Sequence, residues 1–196
     1  MNKRRSFIAT GLALLGFGRR ARAQLVDPSA PIRYAALTRP VKIPVDAVAA
    51  PWKPVPFVAE AMAGPRRVLI SGVVFRRASV AARGDGAPQA ERALRGAGAP
   101  GLTEDTQLSA LCVTCPHEQC QVDLVTDQER LARMAGQKTT HPLFECGCHF
   151  SVFDAAKEGA RLSGESPRGL YRFRVTGVRD GMVEITEIEE VALFEV

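Results

Sequence analysis

Cys115-Pro116-His117-Glu118-Gln119-Cys120 and, further on, Cys146-Gly147-Cys148-His149-Phe150-Ser151 are the two stretches on which the reading of this chain turns. Each supplies a soft thiolate and an imidazole, and each has a second cysteine close by. The chain holds 3 histidines and 5 cysteines. Two of the histidines fall inside cysteine motifs, and this concentration of N and S donors points to a metal site. Structural zinc is one reading, because Cys112-Val113-Thr114-Cys115 is also a Cys-x2-Cys knuckle. Zinc needs only four donors and leaves the second histidine motif without a purpose. His141, followed by Pro142, reads as a surface histidine in a loop. Cys112, among Leu108, Leu111 and Val113, reads as a buried thiol in a strand.

Over residues 108–178 the sequence resembles the Rieske iron–sulfur family. The family pattern C-x-H-x-x-C followed by C-x-C-H maps onto Cys115, His117 and Cys120, then Cys146, Cys148 and His149. The resemblance implies a 2Fe–2S cluster with one iron on Cys115 and Cys146 and the other on His117 and His149. It also implies a Cys120–Cys148 disulfide joining the two cluster loops, 112–120 and 145–154. Two thiolates and two neutral imidazoles leave the oxidised site uncharged, so an electron enters more easily than it enters an all-cysteine dianion. Potentials of roughly −150 to +300 mV follow, and ionisable imidazoles couple electron uptake to proton uptake. Ser151 stands where the family has a hydroxyl donor to the cluster sulfurs. Phe153 stands where many members have tyrosine, and the lost donor implies a potential in the lower or middle part of that range. Ser163-Gly164-Glu165-Ser166-Pro167-Arg168 partly resembles the loop that covers the cluster, through Gly164 and Pro167. A plain glycine- and proline-containing turn is the other reading of that stretch.

The function implied is one-electron transfer. The first expectation is the iron–sulfur subunit of a quinol:cytochrome c reductase-like complex. Its partners would be a cytochrome b-type membrane subunit and a c-type cytochrome, with quinol bonding to His149 or His117. The alternative is the small subunit of a periplasmic molybdenum oxidoreductase similar to arsenite oxidase, paired with a molybdopterin large subunit. His149-Phe150-Ser151-Val152-Phe153-Asp154 looks closer to the second. A ring-hydroxylating dioxygenase component fits less well, because those domains are cytoplasmic and lack the extra cysteine pair.

Working outward, residues 1–23 read as a twin-arginine signal, removed or retained as an anchor. Arg4-Arg5 precedes a short apolar run, and Ala21-Arg22-Ala23 offers a cleavage site. That run is too short to span a bilayer. The expected location is periplasmic, where a disulfide persists. The formal charge of +5 belongs to this segment, which carries six basic and no acidic residues; the remainder is −1, so nothing supports nucleic-acid binding.

Residues 24–63 are proline-rich and read as an extended surface segment, pinned by Trp52 and Phe57. Residues 64–196 read as the Rieske domain. Within it, 66–77, 107–113 and 121–125 read as strands and 81–105 as a Gly/Ala/Pro-rich loop. Thr126-Asp127-Gln128-Glu129 opens a helix that stops at Gly136. Residues 171–178 and 182–188 alternate around Arg179-Asp180-Gly181 and read as a hairpin. The fold class expected is all-β: Rieske-type antiparallel sheets with a small cluster-binding subdomain at one tip.

Overall fold

The computed structural model describes residues 31–78, 107–136 and 139–195. The signal segment 1–23 and the loop 81–105 therefore lie outside the described residues. Six strands close into a barrel: β1 (Tyr34–Pro44), β2 (Val55–Ala63), β3 (Arg66–Arg76), β4 (Leu108–Cys112), β9 (Arg172–Arg179) and β10 (Met182–Glu189), in the order β1-β10-β9-β4-β3-β2. Four more form a separate sheet in chain order: β5 (Val122–Val125), β6 (Leu143–Cys146), β7 (Val152–Asp154) and β8 (Ala160–Ser163). Helix α1 (Gln128–Ala135) links β5 to β6, and a short helix α2 (Ala192–Glu195) follows β10.

This corrects the expected fold. In place of Rieske-type antiparallel sheets with a small subdomain at one tip, the described residues form a closed barrel and a distinct open sheet. Alternation along a strand tells which side chains face inward, but not whether the sheet's two edges meet. Here they meet through β1. It pairs with β10 from Tyr34↔Glu189 to Pro44↔Met182, with a register shift between Ala36 and Val41, and touches β2 at Leu37↔Ala61. Closure leaves the barrel without an open edge.

Much of the proline-rich segment is barrel wall rather than surface strap, since it supplies β1 and β2. Pro40 falls in the register shift and Pro44 ends β1. Both are positions where a missing amide donor does little harm. The barrel interior is filled by Ile43, Ala59, Ile70, Val74, Phe173, Val183, Ile185 and Ile188. Gly72 makes room for two rings, Phe57 and Phe173, which meet edge to face at 4.9 Å; a β-carbon at Gly72 would lie 2.6 Å from Phe57.

Local signals match local structure closely. Asp127 caps α1, accepting from the Arg130 amide at 2.8 Å, and Gly136 ends the helix with φ 67°. Between β9 and β10, Asp180 and Gly181 both take positive φ (51° and 73°), as a two-residue type I′ turn requires.

Candidate metal centre

Strand register puts both cysteine–histidine stretches at one end of the four-stranded sheet. The first loop leads into β5 and the second joins β6 to β7, and Val122 lies opposite Cys146. The first loop is closed in steps: Val122 N–H to Val113 O, a Thr114↔Gln121 bridge, and Cys115 N–H to Cys120 O at 2.7 Å. The second is closed by Cys146 N–H to Ser151 O at 2.9 Å. Both tight loops need one residue in the left-handed region, Gln119 (φ 60°) and Phe150 (φ 53°). Residues 164–169 leave β8 at the same end, because Ser163 lies opposite Val152.

A disulfide joins Cys120 to Cys148 and ties the two loops together. It uses neither Cys115 nor Cys146, which are buried free thiols. The Cys146 thiol and the backbone N–H groups of His117 and Glu118 lie close enough to the Cys115 sulfur to act on its ionisation. Burial pushes the Cys115 thiol up, while those two amides act to lower it. The His117 and His149 rings meet edge to face with centroids 4.7 Å apart. His117 Nδ1 is buried with no hydrogen-bond partner. Its Nε2 points the other way, 3.8 Å from Glu165, and His149 Nε2 lies 3.8 Å from Glu118.

The remaining expected site residues have structural partners. Ser151 is buried and its Oγ accepts from the Ser166 N–H at 3.0 Å. Gly164 packs directly against Ser151. Phe153 is a core aromatic beside Phe144 and Phe75. Pro167 is exposed. Arg168 holds the far end of this third loop: its guanidinium bonds to Glu189 and lies 4.7 Å over the Tyr171 ring. Glu189 is almost fully buried and also accepts from Arg172 at 2.7 Å.

Sequence reasoning did not single out Glu118, Glu165 or the Arg168–Glu189 anchor, since each acts through strand pairing that no local pattern reveals. His141 is not a plain surface residue. Its Nε2 lies 2.8 Å from buried Asp154, and its ring stands 6.0 Å from Trp52. Cys112 is fully buried, and burial raises its pKa.

Compared with known proteins, the chain matches no family model, and no curated protein matches it in sequence. The donor geometry corrects the Rieske membership implied by the two motifs, and the terms Rieske, 2Fe–2S and iron–sulfur do not carry over to this chain. Among the described residues, the donor groups that converge within 4.8 Å are Cys120–Cys146–Cys148 and His117–Glu118–His149. Two sulfurs of the first group are spent in the disulfide, and the second contains no sulfur. Neither group combines Cys115 and Cys146 with the two histidines, so a 2Fe–2S cofactor is not established. The electron-carrier role built on that cofactor is withdrawn with it. The physical reason is that a six-residue motif fixes donor types and order, but not the metal, the cluster or the surrounding fold.

Proposed function

We propose that this chain is a metal-binding protein whose centre is built from the Cys115/Cys146 thiol pair and the His117/His149 imidazole pair. The observation that carries this is His117 Nδ1, a buried ring nitrogen with no partner, in the same loop as the buried free thiol of Cys115. An unpaired buried polar atom is costly unless something binds it. The donors stand as two pairs rather than one convergent set of four. The metal would supply Lewis acidity or a redox couple. The protein's part is to hold the donors, orient the rings through Glu118 and Glu165, and keep water from the thiols. The disulfide and the twin-arginine start together support work in an oxidising compartment.

The test is metal analysis of the full chain. Stoichiometric metal that is lost in Cys115→Ser and His149→Asn, but kept in His141→Asn and Cys112→Ser, supports the centre. A correctly folded chain that retains and binds no metal would end the proposal.

A further inference from the structure

We infer that the chain has a second, redox-gated metal site made of sulfur alone: once the Cys120–Cys148 bridge is opened, Cys120, Cys146 and Cys148 hold a thiophilic divalent cation, with Cys115 as the fourth donor. The three sulfurs already lie within 4.8 Å of one another. The Cys115 and Cys146 thiols lie close enough to interact electrostatically. A tetrahedral zinc site with Zn–S near 2.3 Å needs sulfurs about 3.8 Å apart. Breaking the S–S bond moves its two sulfurs apart towards that spacing, and Cys146 already lies within 4.8 Å of both.

The loops do not depend on the bridge to stay together. Val122↔Cys146 pairing and the ladder closing residues 113–122 hold them in register. Cys148 is exposed, and nothing lies within 4 Å of a β-carbon built on Gly147, so a cation can reach the sulfurs and the Cys146–Cys148 segment has room to adjust. The oxidised chain cannot offer this site, because two of its donors share a covalent bond. Both sites use Cys146 and Cys115, so the reduced chain filled on sulfur excludes the mixed thiolate–imidazole centre. The inference does not rest on that centre being real.

In the opening step a phosphine reductant takes the bridge. The S–S bond breaks, the phosphine is oxidised to its oxide with oxygen from water, and the two protons of that water leave both sulfurs as thiols. Zinc then replaces thiol protons, which pass to solvent.

The experiment compares zinc binding by the metal-free full chain before and after phosphine reduction, with a chromophoric chelator as competitor. Reduction is expected to tighten zinc at least tenfold. Cys120→Ser and Cys148→Ser should each remove that gain, and the His117→Asn/His149→Asn double variant should keep it. Thiol alkylation read by mass spectrometry makes the same test on the unmodified sequence: zinc should protect Cys120, Cys146 and Cys148 together. Alkylation of all three at the same rate with and without zinc would overturn the inference, as would a gain that vanishes with the histidines. Metal analysis of the oxidised chain reports on the mixed centre separately, so either proposal can fail alone.

Discussion

Gly164→Ala is the most informative single change at the loop end of the molecule. Gly164 has φ +90°, and a β-carbon there would sit 2.3 Å from Ser151 Cα and 2.8 Å from Ser151 N. Two costs add. A left-handed backbone disfavours any residue with a β-carbon by about 1–2 kcal/mol. Overlap with backbone that cannot swing away adds about 1–3 kcal/mol. The expected loss is therefore about 2–5 kcal/mol, a large part of the roughly 5–15 kcal/mol that stabilises a typical domain. Urea unfolding measures it: with a slope near 2 kcal/mol per molar, the midpoint should fall by about 1–2.5 M. Gly136→Ala separates the two costs, because Gly136 also has positive φ (+67°) but nothing within 4 Å of its added carbon. It should lose only the backbone part, about 1–2 kcal/mol. Equal losses at the two positions would refute the close seating of the third loop on Ser151.

Other outcomes follow from the same contacts. Ser151→Ala strands the buried Ser166 amide, which now donates to Ser151 Oγ at 3.0 Å; a loss of about 1–3 kcal/mol is expected in thermal unfolding. Asp127→Ala removes the α1 cap and should cost about 1 kcal/mol, with Asp127→Asn or Ser restoring most of it. Opening the Cys120–Cys148 bridge, which closes a loop of sequence separation 28, should cost about 3–4 kcal/mol by the chain-entropy relation, read as a shift in urea midpoint. Burial, and then its bond to Glu195, raise the Tyr171 pKa above 10.0. Above pH ~10 the unfolded chain loses that proton while the folded chain keeps it, so stability is complete below ~10 and declines as pH rises further. Tyr171→Phe should flatten that alkaline decline, and an unchanged slope would remove Tyr171 as its source.

Local chemistry was legible in the chain because it depends on neighbours along it. Asp127 and Gly136 bound α1, Asp180-Gly181 turns β9 into β10, and the alternating apolar residues of β3 and β10 mark themselves as strands. The two cysteine–histidine stretches were equally plain as concentrations of thiols and imidazoles. What the sequence could not settle is everything decided by pairing at a distance. Barrel closure depends on Leu37 meeting Ala61 and on the bulge in β1, and nothing local distinguishes that from an open sheet. The proline-rich run looked like a strap, yet Pro40 sits in the bulge of β1 and Pro44 at its end. The buried face of His117 and the carboxylates facing both imidazoles likewise exist only once Val122 lies opposite Cys146 and Ser163 opposite Val152. The residue types thus determined which donors are available, and strand register alone decided which of them meet, because a one-residue slip would turn those side chains to the opposite face.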